Sequence, residues 1–310
     1  MTPPERSRSS AAQGSIVLAV NPAASFGRSR GAGDKAAEYF RAAGWDVVVL
    51  QADGYEPLVT LVQQVLASDA EVAALVVVGG DGMIHLGVNA LAGLQVPLGI
   101  IPSGTGNDVA RLLGLPLNNP AGACQRVLNA MVAGGRRMDV GRVRAGGKTT
   151  CFAGVLSAGF DAAVNERANS WRWPRGKGRY NLAMLRELGS FRRIEYRVCV
   201  DGVCWDQGAL LISVANGQSI GGGMRITPDA LPDDGWLDLF VVEPLSRLKF
   251  LAIFPKVFAG KHTSRSEVMI RRVRKVRLEA EGVVAYADGE RLGALPADID
   301  VLPLALHVLA

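Results

Sequence analysis

The sequence predicts a two-domain α/β protein: an N-terminal α/β domain with three layers about a mostly parallel sheet, followed by a β-sandwich-like C-terminal domain. Three observations predict it. Over residues 15–136 short apolar runs alternate with segments of helical period through short loops, the rhythm of βα units whose sheet is covered on both faces. Near residue 137 the rhythm changes to many short strands bounded by turn residues, which suits an antiparallel sandwich. Two glycine-rich turns, at 79–82 and 103–108, each close an apolar strand and open a helix.

Ser15–Val20 is a short apolar strand, and Asn21–Gly27 is a loop of turn residues. Lys35–Ala43 is an amphipathic helix ended by Gly44, a suitable C-terminal cap. Asp46–Leu50 is the next strand, and Glu56–Leu66 carries one apolar helical face through Leu58, Leu61, Val62, Val65 and Leu66. Val72–Val78 is free of charge and holds three consecutive valines, as a strand buried on both faces requires. Met83–Leu91 and Val109–Leu113 are helical, with the strand Leu98–Ile101 between them. Beyond lie strands at Arg137–Arg144, Thr150–Ser157, Tyr196–Val200, Gly208–Ala215, Gly235–Val242, Val268–Arg272, Lys275–Ala280 and Val283–Ala287. Helical segments interrupt them at Tyr180–Leu188 and Ser246–Phe258, and Asp201-Gly202 between valine-rich arms is a hairpin turn. The expected division is a flexible tail at 1–14, a first domain at 15–136 and a β-rich domain at 137–296. The apolar end, 297–310, is open to packing back on the first domain.

At 310 residues the chain can bury a sizeable core in two domains. With 49% hydrophobic and 20% charged residues it should fold rather than stay disordered. No apolar run approaches the ~18 residues of a membrane-spanning helix. Met1–Gly14 is polar and lacks an apolar leader, so a cytoplasmic location is expected. The spacing of Cys199 and Cys204 permits a hairpin disulfide, but with Cys124 and Cys151 they form no metal-ligand pattern, and reduced, buried thiols are expected. The net charge of +5 is a mild excess, and neither basic cluster, at 165–195 or at 271–277, carries an RNA-binding motif. No nucleic-acid partner is expected.

Three glycines around Asp81, in Gly79-Gly80-Asp81-Gly82, let backbone approach a phosphate, since no Cβ stands in the way. The helix that follows offers its N-terminal N–H groups and the positive end of its dipole. An anion such as Asp81 belongs beside phosphates only when a divalent cation lies between, which points to a nucleotide with Mg²⁺. The second turn, Ser103-Gly104-Thr105-Gly106-Asn107-Asp108, repeats the arrangement, although Asn107 or Asp108 could simply cap the next helix. Ligands of such sheets bind beyond the carboxyl ends of the strands. Neither turn matches the P-loop or dinucleotide fingerprint.

The sequence resembles the diacylglycerol kinase catalytic-domain family, bacterial lipid kinases related to sphingosine and ceramide kinases. The resemblance rests on Asn21-Pro22, Gly79–Gly82, 97–108, Asp139-Val-Gly-Arg142, Asn216-Gly217 with Gly221–Gly223, Asp233-Asp234-Gly235 and Asp288-Gly289-Glu290, in order over nearly the whole chain. It implies an ATP- and Mg²⁺-dependent lipid kinase that phosphorylates the hydroxyl of diacylglycerol to give phosphatidic acid, with the nucleotide in the inter-domain cleft. By the same resemblance Asn21, Pro22, Ala23, Ala24, Ser25, Gly79, Gly80, Asp81, Gly82, Gly104, Thr105 and Asn107 contact ATP. Asp81, Asp108 and Asp139 organise the catalytic Mg²⁺, partly through water. Asp234, with the carbonyls of Leu231 and Trp236, holds a structural metal, or else it is a turn residue in Pro-Asp-Asp-Gly. Glu290 is the general base for the lipid hydroxyl. Other lipid hydroxyls, an NAD-kinase-like soluble kinase and a catalytically silent binding protein are the alternatives.

One departure stands out. The family continues its glycine turn with Thr-x-Asn-Glu, whereas this chain has Met83-Ile84-His85-Leu86. His85 could hydrogen-bond a nucleotide or lie idle on a helix surface. A lipid kinase must also reach a bilayer, so peripheral association with the inner face of an anionic membrane is expected, with a homodimer left open. Trp171–Tyr180 interleaves aromatics with cations, a composition suited to such a surface. Phe250, Phe254 and Phe258 recur every four residues beside Lys249, Lys256 and Lys261 and read as a buried helix face.

Overall fold

The computed structural model describes residues 14–21, 28–52, 54–159, 164 and 193–310. Four parallel strands form the first domain: β1 (Ser15–Val20), β2 (Val47–Gln51), β3 (Val72–Gly79) and β4 (Leu98–Pro102), in the order β2-β1-β3-β4. Alternate residues of these strands feed two cores, because successive side chains leave a strand on opposite faces. Val17, Ala19, Leu75, Val77 and Ile100 meet α2 (Tyr55–Leu66) and α3 (Asp81–Leu91) through Leu58, Val62, Ile84 and Val88. Ile16, Leu18, Val76 and Ile101 on the other face meet α1 (Arg28–Ala42) and α5 (Pro120–Ala133) through Phe40, Ala123 and Val127. A short helix, α4 (Asp108–Leu112), follows β4. The sequence reading does not assign α5. Its signals are local: Asn119 accepts the Gly122 N–H as N-cap, Pro120 opens the helix and Gly134 ends it left-handed.

The second domain packs two antiparallel sheets face to face. One is β12 (Val268–Val273), β11 (Leu237–Val242), β10 (Leu211–Ala215), β7 (Val155–Gly159), β14 (Val284–Ala287) and β15 (Glu290–Ala294), in that spatial order. The other holds β5 (Arg136–Ala145), β6 (Lys148–Phe152), β8 (Ile194–Val200), β9 (Val203–Ala209), β13 (Lys275–Glu279) and β16 (Ala297–Leu309). Phe152, Leu156, Tyr196, Ile212, Leu239, Val276 and Ile299 fill the space between. A single helix, α6 (Arg247–Val257), joins β11 to β12. The 150–157 run is two strands, β6 and β7, because the chain breaks at Ala153-Gly154. Residues 208–215 likewise divide at Leu210, where the chain crosses from one sheet to the other.

β16 links the domains. Its first part pairs antiparallel with β13 and β5, and its end, Val308 and Leu309, pairs parallel with Leu98 and Gly99 of β4. Leu306 and Leu309 thereby sit in the two cores of the first domain.

Two expectations are corrected here. Cys199 and Cys204 are joined by a disulfide rather than reduced. Asp201 and Gly202 both have positive φ, so the two-residue hairpin loop sets the cysteines directly opposite in β8 and β9, with Cα atoms 4.0 Å apart. The phenylalanine face is only partly buried: Phe250 and Phe254 turn inward, and Phe258 is exposed. The tail before residue 14, the Tyr180–Leu188 helix and the Trp171–Tyr180 cluster lie outside the described residues.

Candidate active site

The two glycine turns meet backbone to backbone. A Cβ on Gly80 would stand 3.0 Å from the Gly104 Cα, so neither loop tolerates a side chain at the junction. Ser103 N–H donates to the Gly79 carbonyl at 2.9 Å, tying the end of β4 to the end of β3. Asp81 then locks the second loop from the first. Its Oδ2 accepts the Asn107 N–H at 2.8 Å and its Oδ1 the Asp108 N–H at 2.9 Å. Asn107 takes the left-handed conformation, with φ 54°. Its side chain does not cap α4 but folds back on Gly104, accepting from its N–H and donating to its carbonyl. Thr105 is exposed at the loop tip.

Asp108 faces the second domain. Its Oδ2 accepts the Gly222 N–H at 2.7 Å, and its Oδ1 accepts from Ser219 Oγ and Arg111 Nη1. Burial, reinforced by the Asp108 and Asp288 carboxylates, pushes Asp81 up to about 7, against the pull of its two backbone N–H donors.

The Asp288-Gly289-Glu290 turn closes the site from the other side. Asp288 accepts N–H groups from Ala153, Gly154 and Val155, which accounts for the break between β6 and β7. Glu290 begins β15, and its Oε1 lies 2.9 Å from where a Gly82 Cβ would be. Burial and the Glu290 carboxylate both raise Tyr55, at the start of α2. His85 is buried, contrary to a helix-surface placement. Its Nδ1 has no hydrogen-bond partner and stands 4.0 Å from Asp288 Oδ2.

The structure thus brings together Gly79, Gly80, Asp81, Gly82, Gly104, Asn107, Asp108 and Glu290. Asn21 closes β1 at the same edge of the sheet as the Gly79 turn, whereas Pro22, Ala23, Ala24 and Ser25 lie outside the described residues. Asp139 is placed differently. It is fully buried, and its two oxygens accept the Leu304 and Gly235 N–H groups at 2.7 and 2.6 Å, tying β16 to the Asp233–Gly235 turn. Among the described residues no three His, Cys, Asp or Glu side chains converge on a common metal position. Asp81 and Asp108 spend both their oxygens on backbone N–H groups, Ser219 and Arg111, so Mg²⁺ here would be held through its waters, which suits an ion that keeps its waters and takes substrate phosphates. The crowding of Asp81 by Asp108 and Asp288 is the charge such an ion would relieve.

The expected structural-metal residues do not fit a second cation as they stand. Asp234 Oδ1 accepts the Trp236 N–H at 3.0 Å, and its Oδ2 forms an ion pair with Arg272. Arg272 and Arg274 lie over the Trp236 ring at 5.1 and 4.3 Å, so guanidinium charge already fills the surroundings, and the Leu231 side chain is exposed.

The sequence reading missed His85 as a buried neighbour of Asp288, Tyr55 beside Glu290, and Ser219 and Gly222 as holders of Asp108. Only the Gly221–Gly223 run carried a local signal.

Residues 15–143 match the diacylglycerol kinase catalytic domain, and residues 154–310 match the YegS C-terminal NAD kinase beta sandwich-like domain. A protein named diacylglycerol kinase from Mycobacterium tuberculosis (strain H37Rv) is 38% identical over 298 residues, covering 96% of this chain and 95% of its own. A YegS-like lipid kinase of Pseudomonas fluorescens is 32% identical, with 88% of each chain covered. A structure described as a diacylglycerol kinase from Bacillus anthracis superposes with a TM-score of 0.75 at 25% identity, over 95% of this chain and 96% of that one. An NAD kinase from Archaeoglobus fulgidus shares the fold, with a TM-score of 0.54 at 15% identity over 95% of this chain and 93% of that one. With both domains matched by these family models and a relative 38% identical over nearly its whole length, the chain belongs to the diacylglycerol kinase catalytic-domain family.

Proposed function

We propose that the protein is a lipid kinase that transfers the γ-phosphoryl group of ATP to the hydroxyl of diacylglycerol, giving phosphatidic acid. The observation that carries this reading is the approach of Glu290, from the second domain, to the turn Gly80–Gly82 of the first. Phosphoryl transfer needs a cradle for the phosphates, neutralisation of charge on the transferring group and an oriented hydroxyl. Backbone N–H groups of the two glycine turns and the N-terminus of α3 supply the cradle. Asp81 and Asp108 would hold Mg²⁺ beside it, through water, and the ion would neutralise phosphate charge. Asp139 supports the arrangement by fixing β16 and the Asp233–Gly235 turn. Glu290 accepts the proton of the acceptor hydroxyl as its oxygen attacks phosphorus, and the bridging oxygen leaves with ADP.

The acceptor chain has a candidate site on the outer face of the six-stranded sheet. An apolar cavity of about 90 Å³ lies between that sheet and α6, lined by Leu211, Ile226, Phe240, Phe250 and Phe254 and edged by Ser213. Ser213 stands opposite Ser157, and Ser157 opposite Tyr286, so one row of side chains leads across the sheet towards the Asp288–Glu290 turn.

The test is transfer of radiolabel from ATP to a panel of lipids in mixed micelles, with sphingosine, phosphatidylglycerol and NAD as competing acceptors. Diacylglycerol should take the label. Glu290→Gln should lower kcat by about 10²–10⁴-fold, with the fold retained by circular dichroism. Labelling of NAD without lipid would reject the reading, and full kcat in Glu290→Gln would remove Glu290 from the base role.

A further inference from the structure

We propose that α6 is the element that docks the protein on an anionic bilayer, lying in the membrane surface with its outer face among the lipids. The inference rests on the reading of the protein as a lipid kinase only for its purpose; the surface itself is read from the helix.

A helix at a protein surface normally shows one apolar stripe and one polar face. α6 is apolar on both sides. Its inner side, Phe250, Ile253, Phe254 and Val257, walls the cavity. On 3.6-residue spacing Leu248, Leu251, Ala252, Pro255 and Phe258 fall within an arc of about 120° on the opposite side, and all five are exposed. Leu248 is 81% exposed, Leu251 44% and Phe258 45%. No polar side chain interrupts this arc. A single exposed leucine is ordinary, but a contiguous group of this kind marks a surface that another apolar phase covers.

The flanks indicate which phase. Arg247 borders the arc on one side, with Lys249 and Lys256 on the other; Lys261 and Arg265 follow the helix, both exposed. Among the described residues from 243 to 267 the acidic ones are Glu243 and Glu267, and Glu267 is paired with Lys249. Excess positive charge bordering an apolar strip is the pattern of an interfacial helix on anionic lipid, where leucine and phenylalanine enter the acyl boundary and lysines stay with the headgroups. A partner helix or a second copy would cover the leucines but would not by itself neutralise Lys256, Lys261 and Arg265 beside them. The same helix also walls the cavity, so a lipid leaving the bilayer along α6 would meet the cavity without crossing water.

The experiment is flotation of the full chain with vesicles of phosphatidylcholine and phosphatidylglycerol in equal parts, without ATP. Wild type should float, and added salt should weaken binding. Leu248→Gln, Leu251→Gln and Phe258→Gln together should weaken it by about 10²-fold, with an unchanged thermal melt. Lys256→Gln with Lys261→Gln should weaken it several-fold and flatten the salt dependence. The triple variant should keep the wild-type kcat on a short-chain diacylglycerol dissolved below its micelle concentration. Wild type that does not float, or a triple variant that floats equally well, would overturn the proposal. So would a wild-type dimer in sedimentation that the triple substitution dissociates, because the face would then be covered by a second copy. Since binding is scored without turnover, a protein that floats through α6 yet phosphorylates no lipid would overturn the kinase reading and leave the docking surface standing.

Discussion

Glu290 Oε1 lies 2.9 Å from the point where a Cβ on Gly82 would stand, so the two domains meet at a glycine whose missing side chain makes room for a carboxylate. The contact joins the N-terminal turn of α3 to the first residue of β15 and makes Glu290 sensitive to a single methyl group.

Gly82→Ala should therefore displace Glu290 while leaving the fold intact. The loss in kcat should be about 10–10²-fold, the scale of a 1 Å misplacement at a reacting centre. In a Glu290→Ala background the same substitution should cost nothing further, because the displaced group is gone. Equal losses in the two backgrounds would show that Gly82 acts through the phosphate cradle instead.

His85 faces Asp288 across 4.0 Å with its Nδ1 unpartnered, and Asp288 holds the turn that carries Glu290. A shift of about 1 Å would complete a hydrogen bond. His85→Asn keeps a polar atom close to the Nδ1 position and should preserve kcat within about threefold, whereas His85→Leu should lower it about tenfold with KM for ATP unchanged. Equal kcat in the Leu and Asn variants would remove any positioning role for His85.

Burial and neighbouring carboxylates push Asp81 up to about 7. The folded protein then holds a proton that the unfolded chain releases above its ordinary carboxylate pKa. Stability from this group is full below about pH 4 and is lost as pH rises to about 7. The loss should be on the order of 4 kcal/mol in urea denaturation without metal or nucleotide, and Asp81→Asn should flatten it. The same slope in the variant would assign the pH dependence to another group.

Arg272 occupies the place beside Asp234 that a structural cation would need. Chelation of divalent ions should leave the wild-type Tm unchanged. Arg272→Ala should lower Tm by about 1–3 °C, since a half-exposed ion pair contributes about 1 kcal/mol or less. Added Mg²⁺ should restore the variant through the freed carboxylate. A wild-type Tm that falls on chelation would mean that a divalent ion shares Asp234 with Arg272.

The strands β1, β3 and β4 were legible because each is a short apolar run that stops at a glycine or beside a proline, and burial on both faces leaves no alternation to misread; the edge strand β2, with Val48 and Val49 exposed, was legible from its run of valines alone. The glycine turns were legible for the same local reason. β15 was not, since Glu290–Ala294 is too short and mixed to announce a strand, and it exists by pairing with β14. The Cys199–Cys204 bond turned on register: a two-residue loop sets the cysteines opposite, whereas composition argued for free thiols. Nothing local to Asp139 announces that two backbone donors, from Leu304 and Gly235, take both its oxygens. Both lie far along the chain from it.

By itself the sequence determined the two-domain class, the two phosphate-type turns and the residues on which the family resemblance rests, all properties of contiguous segments. The tertiary structure alone decided which of those residues meet. It set Glu290 against Gly82, gave Asp81 the N–H groups of the second loop, turned His85 inward to Asp288 and left Leu248, Leu251 and Phe258 outside the core. Each depends on where distant segments come to rest, and the long-range pairing of β16 with both domains brings those segments together.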